Sequence, residues 1–193
     1  MFEAFKKYIN GKIQLSDSDL KWMESLSVSR RIRKNQYLLQ EGEVCHHNCF
    51  VTRGCLLSYR VSDQGVIHVL RFSTENWWVS DRESFVNGTP SQLNIQATED
   101  SEVILWTKEN FEILMKGIPE LTTFVEALFE KSLQANQQRV FSQISQSAVE
   151  RYEDFLKKFP DLINRVPLHM IASYLGVSRE RLSRIRSVNA HKS

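Results

Sequence analysis

Leu168-His169-Met170-Ile171-Ala172-Ser173-Tyr174-Leu175-Gly176-Val177-Ser178-Arg179-Glu180-Arg181-Leu182-Ser183-Arg184-Ile185 governs how the rest of the chain is read. Ile171, Ala172 and Leu175 recur at helical spacing, Gly176 is free to take a positive φ, and Leu182 and Ile185 resume the apolar face. Two short helices packed across a tight turn require that pattern, with Ala172 small where they cross most closely. The stretch reads as a helix-turn-helix. Ser178 is placed to cap the second helix, whose polar face carries Arg179, Glu180, Arg181 and Arg184. These five residues are the candidate DNA-contacting set, because an exposed helical face of this kind is what enters a DNA groove.

The charge distribution points the same way. The formal net charge is only +2, yet residues 1–146 carry 16 Lys+Arg against 18 Asp+Glu, whereas residues 147–193 carry 9 against 5. The positive excess lies with the motif and suits a phosphate backbone. With 41% hydrophobic and 25% charged residues in 193, the composition is that of a globular protein and excludes a disordered or fibrous chain. No apolar run approaches the roughly 20 residues of a membrane span, and Met1 to Tyr8 lacks the charged-then-apolar order of a signal peptide. A cytoplasmic location without a membrane partner is expected.

Outward from the motif, Phe5 to Leu26 has helical spacing, with cap residues at Ser16-Asp17-Ser18-Asp19. From Val28 to Thr107 the character is β-rich, with seven pieces at 37–40, 48–52, 56–61, 66–72, 77–80, 93–98 and 102–106. Turns are expected at Glu41-Gly42-Glu43, Arg53-Gly54, Ser62-Asp63-Gln64-Gly65 and Asn87-Gly88-Thr89-Pro90. Short strands at such spacing predict a β-roll or barrel. After Lys108 the pattern is helical over 109–116 and, beyond Pro119, to at least Ile144. Ile118, Leu121, Val125 and Leu128 step by three and four, and the seam then reaches Ser132, Ala135 and Arg139. That stripe suits either a dimer seam that fades after two heptads or packing on its own domain. Arg151 to Phe159 forms another amphipathic helix before the motif.

This order of parts resembles the cyclic-AMP receptor protein/FNR (Crp/Fnr) family of bacterial transcription regulators. Tyr37-Leu38-Leu39-Gln40-Glu41-Gly42-Glu43 is similar to the family's glycine turn, and Phe50-Val51-Thr52-Arg53-Gly54-Cys55-Leu56 to its next hairpin. Asn87-Gly88-Thr89-Pro90-Ser91 sits where the family has its phosphate-binding cassette, and Ser178-Arg179-Glu180-Arg181-Leu182-Ser183-Arg184 is similar to its recognition helix. The resemblance implies an α+β chain with three parts. These are a cyclic-nucleotide-binding-like β-roll of double-stranded jelly-roll type with N-terminal helices (1–116), a long dimerisation helix (117–146) and a wingless helix-turn-helix domain (147–193). It further implies a homodimer that regulates transcription on double-stranded DNA, with RNA polymerase as a further partner and a small-molecule effector. Arg179, Glu180 and Arg184 match its base-reading positions, and Ser178 matches a phosphate contact.

The cassette departs from the family. Aligned on Gly88-Thr89-Pro90, Asp81-Arg82-Glu83 stands against the family's Gly-Glu-Leu, and Ser91-Gln92 against the Arg pair that clamps a cyclic phosphate. A register slip of one would bring Glu83 or Asp81 to the ribose position. Arg82, Glu83, Ser91 and Gln92 are the pocket candidates, and cyclic AMP is not the expected effector, since a buried phosphate would lack its charge-assisted partner. The chain also ends early, with residues 187–193 in place of a wing. Three cysteines, Cys45, Cys49 and Cys55, are too few for an iron–sulfur cluster, so no cofactor or metal site is assigned, Cys45 with His46 or His47 being the best zinc candidates. No nucleotide-binding glycine loop, nucleophile elbow or His-Glu-x-x-His occurs, so no catalytic residue is assigned and no enzyme is expected. The competing reading is a ligand-binding or protein-interaction module in which the helix-turn-helix is only a packing device.

Overall fold

The structure, a computed structural model, describes residues 1–190, with side chains through 188. The wingless reading of residues 187–193 therefore falls partly on residues 191–193, outside those described. Two helices, α1 (Phe2–Asn10) and α2 (Asp17–Ser25), precede the strands β1 (Val28–Ile32), β2 (Tyr37–Leu39), β3 (His47–Arg53) and β4 (Leu56–Val61). β5 (Ile67–Ser73), β6 (Trp77–Val79), α3 (Arg82–Asn87), β7 (Asn94–Ala97) and β8 (Ser101–Thr107) follow. The chain continues through α4 (Lys108–Gly117), α5 (Pro119–Ser145), α6 (Ala148–Lys158), α7 (Leu168–Leu175) and α8 (Arg179–Ala190). It divides into two compact units, Met1–Arg60 with Arg71–Phe129, and Val61–Leu70 with Glu130–Ser193. No described helix is long and apolar enough to cross a membrane.

Two four-stranded sheets, ordered β1-β8-β3-β6 and β2-β7-β4-β5, form the roll. The two inner strands of the first sheet are apolar throughout because both of their faces are covered. Phe50, Ile104 and Trp106 point toward α1, α2 and α4, where Phe5, Met23 and Leu114 close an aromatic-rich core. Their neighbours Cys49, Val51, Val103 and Leu105 point the other way, into the core that includes Leu39 and Ile95 of the second sheet. Period-two alternation thus builds two cores from one sheet. The structure adds an eighth strand, β1, that the apolar pattern does not reveal. It is an edge strand with four of its five residues exposed, three of them Ser29, Arg30 and Arg31. Charge on an edge blunts unwanted pairing and hides the strand from a hydrophobicity count.

Of the glycine turns, that between β3 and β4 is the most constrained. Gly54 has φ of +93°, and a Cβ there would lie 2.7 Å from Ser101 Cα, so neither the backbone nor the space admits a side chain. At the start of α2, Ser16 accepts from Asp19 N while Asp19 accepts from Ser16 N, a capping box at the position the sequence offers.

The stripe on α5 packs on its own domain. Ile118 and Leu121 are buried in the helix-side core, with Phe124 and Val125 packed against it. Apolar residues left exposed along α5 are a different set, Phe129, Leu133, Val140, Phe141 and Ile144. An intramolecular stripe and a dimer seam share one period, so spacing alone could not separate them.

Candidate functional site

In the second unit α6, α7 and α8 enclose a small core. Tyr152, Phe155, Ile171, Ala172, Leu175 and Leu182 are all nearly inaccessible. Gly176 ends α7 with φ of +66° and ψ of 38°, and Val177 N donates to Ala172 O at 3.0 Å, closing the turn. Ser178 Oγ accepts from Arg181 N at 3.2 Å at the head of α8. Leu182 and Ile185 face inward, while Arg179, Glu180, Arg181 and Arg184 are exposed. Glu180 has its pKa lowered, first by its own backbone N–H, then by the Ser178 hydroxyl, and further by Arg179 and Arg184. The four side chains therefore present three guanidiniums and a carboxylate on one short helix face.

Two arginines outside the motif hold the end of α7. The last carbonyls of a helix have no intrahelical donor and carry the negative end of its dipole. Arg151 Nε donates to Leu175 O at 3.1 Å, and Arg139 donates to Tyr174 O at 3.1 Å. The same Arg139 guanidinium also donates to Val69 O at 3.1 Å and to Leu70 O, and it stacks on the Tyr174 ring at 4.3 Å. Ser173 Oγ donates to Ile67 O and accepts from Val69 N, at 2.7 and 2.9 Å. Sequence reading took Arg139 only as a break in the seam. An isolated polar residue on an otherwise inward-facing stripe was the available signal.

In the first unit the four pocket candidates gather around α3 and the start of β7, but they do not form a phosphate clamp. Asp81 caps α3 through Ser84 N at 3.4 Å, and Ser91 Oγ donates to Asp81 Oδ2 at 2.7 Å. Ser91 is buried, and its Oγ also accepts from Leu93 N at 2.9 Å. Arg82 lies over the Phe129 ring at 4.0 Å, Glu83 is exposed, and Gln92 accepts from Arg60. Ser84, which is buried, accepts from Cys45 N and donates to Thr89 O, and the loop 42–44 bonds to Ser91 and Pro90 on both sides. A cyclic phosphate does not fit this arrangement. The buried hydroxyl that stands in the clamp position is already tied to a carboxylate, which would repel the incoming anion. Titration of the full-length protein with cyclic AMP in the micromolar range is expected to give no saturable heat; a saturable isotherm would contradict the closed cassette.

Cys45, Cys49 and Cys55 are free and buried. Burial pushes the Cys49 thiol well above its ordinary pKa and raises that of Cys45 as well. Thiols so placed are poor nucleophiles and poor ligands. Among the described residues no group of three or more His, Cys, Asp or Glu is placed to hold a metal ion.

Residues 29–117 match the family described as Cyclic nucleotide-binding domain. FixK2 from Bradyrhizobium japonicum is similar in structure, with 19% identity over 86% of this chain and 85% of that one and a TM-score of 0.76. The fold is that of the Crp/Fnr regulators. The c-di-GMP responsive global regulator CLP of Xanthomonas campestris shares this Crp/Fnr fold at 15% identity, TM-score 0.72, covering 92% of this chain and 93% of that one. So does a chain from Eubacterium rectale assigned to the Crp/Fnr family of transcriptional regulators, at 17% identity and TM-score 0.70, covering 92% and 85%. No curated protein matches the chain significantly. At such identities the likeness carries the Crp/Fnr fold and not a ligand or an operator.

Proposed function

We propose that the chain is a homodimeric, sequence-specific DNA-binding transcription regulator of the Crp/Fnr type, acting in the cytoplasm. Its β-roll (1–116) takes an effector other than cyclic AMP or serves as scaffold, 117–146 joins two copies, and 147–193 reads DNA. The observation that carries the reading is the exposed face of α8, with Arg179, Glu180, Arg181 and Arg184 outward and Leu182 and Ile185 buried behind it. An arginine fork donates twice to guanine O6 and N7, and a glutamate accepts from cytosine N4; each such pair discriminates by roughly 1–3 kcal/mol. Ser178 and Arg181 are the backbone-positioning members of the set. For dimerisation, Phe129, Leu133, Val140 and Ile144 lie on one side of α5 at steps of four, seven and four and remain exposed. A second copy would cover them. Two α8 helices displayed by a dimer would enter successive major grooves, and an effector would act only through its differential affinity for two arrangements of the long helices. RNA polymerase is the further partner this role implies.

The test is a mobility shift on DNA upstream of the protein's own gene. Arg179→Ala and Arg184→Ala should each weaken specific binding about 10- to 100-fold per half-site while the dimer persists in sedimentation. Affinity should also fall steeply with salt. Specific binding retained by both variants would sink the assignment, and Leu133→Glu should yield monomer if the exposed stripe is the seam.

A further inference from the structure

At one open end of the roll, away from the cassette residues, the two sheets leave a cavity of about 480 Å³. Its apolar wall is Leu38, Leu39, Val79 and Ile95, drawn from β2, β6 and β7, and its polar rim is Arg30, Glu43, His46 and His47. Arg82, Glu83, Ser91 and Gln92 do not line it. We propose that this cavity binds a small organic monocarboxylate, its carboxylate on Arg30, His46 and His47 and its hydrocarbon on the apolar wall.

The donors are present and uncommitted. Among the described residues no hydrogen bond or ion pair engages the Arg30 guanidinium or the His46 and His47 rings; His47 takes part only through its carbonyl, which accepts from Cys45 Sγ at 3.4 Å. They also face one another: burial lowers the His47 pKa first, and the charges of His46 and Arg30 lower it further, with Glu109 pulling weakly the other way. Converging donors without a partner are arranged for an acceptor that comes from outside. Glu43 limits its charge. The Glu43 carboxylate is held by Gln40 N at 2.9 Å, so with neutral histidines the rim carries one positive and one negative charge. A multiply charged phosphate would meet Glu43 without enough compensation, whereas one carboxylate pairs with Arg30 in a bidentate fork. The buried wall, with Leu39, Val79 and Ile95 almost inaccessible, rewards an alkyl or aryl body over a purely polar anion. Cys45 Sγ also lines the space, but its raised pKa and its bond to His47 O make binding non-covalent.

The inference gives the proposed regulator's β-roll an effector site, and a binding assay reads the cavity whether or not the chain binds DNA. Butanoate, hexanoate and octanoate are titrated calorimetrically into the full-length protein, with octanamide as the uncharged counterpart. At least one acid should bind saturably at one site per chain, and octanamide should not. Arg30→Gln, on an exposed edge strand, should weaken the acid at least tenfold with unchanged thermal unfolding, and His47→Asn should weaken it less. Absence of saturable binding by all three acids overturns the proposal. Loss of binding in Arg82→Gln but not in Arg30→Gln would assign the ligand to the cassette and overturn it equally.

Discussion

Trp106→Ala is expected to destabilise the first unit by about 3–5 kcal/mol, the range for deleting a large aromatic side chain from a packed core. Trp106 is wholly buried on β8, an inner strand hydrogen-bonded on both sides. Its ring packs within 5.1 Å of Phe5 and 5.4 Å of Trp78, centroid to centroid, and its Nε1–H donates to Met23 O at 3.0 Å. Removing it leaves a cavity between sheet and helices and orphans a buried carbonyl at the C-terminal side of α2. Trp106→Phe separates the two effects, since most of the apolar volume stays and only the hydrogen bond goes; it should cost about 1–2 kcal/mol. Tryptophan fluorescence during denaturant unfolding measures both. Trp22, Trp77 and Trp78 remain and all lie in the first unit, so the probe still reports that unit. An alanine variant as stable as the parent would mean that this core does not hold the roll.

Arg139→Ala is expected to loosen the second unit by about 2–3 kcal/mol. Hydrogen bonds from a charged donor are worth roughly 1.5–3 kcal/mol each, and this guanidinium makes them to the carbonyls of Val69, Leu70 and Tyr174, with water replacing part of the loss because the side chain is only half-buried. Burial pulls the Arg139 pKa down, but a guanidinium starts so high that it stays charged and keeps all its donors. Arg139→Lys should recover less than half of the loss, because a compact ammonium cannot span three carbonyls and lie flat on the Tyr174 ring. Thermal melting followed by helical circular dichroism reads this unit, which is helical and contains no tryptophan. Because Arg139 secures the helix that precedes the turn, the variant should also weaken DNA binding without touching the α8 face. Full stability with intact binding in Arg139→Ala would show the clamp to be dispensable.

Much of this was legible in residue order. Gly42, Gly54, Gly65 and Gly88 all take positive φ at the turns expected from their neighbours, and the seven β pieces fall on β2 to β8. Local chemistry sufficed there, because a turn residue or a capping box satisfies its own backbone within a few positions. The departures have one cause. β1 is charged and exposed, and α3 is a single short turn carried by the Asp81 cap, so neither shows the periodicity that reports burial. The α5 stripe was visible but not its target, since the same spacing serves a partner helix and the chain's own core.

The sequence by itself determined the order of elements, the helix-turn-helix and the loss of the arginine that a cyclic phosphate needs, because each depends on residue type within a short span. Only the tertiary structure decided what the cassette does instead. Asp81 and Ser91 are ten positions apart, and their 2.7 Å hydrogen bond exists because α3 folds back onto the 42–45 loop. Likewise Arg139 reaches carbonyls some 35 and 70 residues away, and Arg30 joins His46 and His47 at one cavity, through chain folding that no local pattern encodes. Hydrogen bonds and charge pairs between distant residues carry no sequence period, so they appear only once packing has brought the groups together.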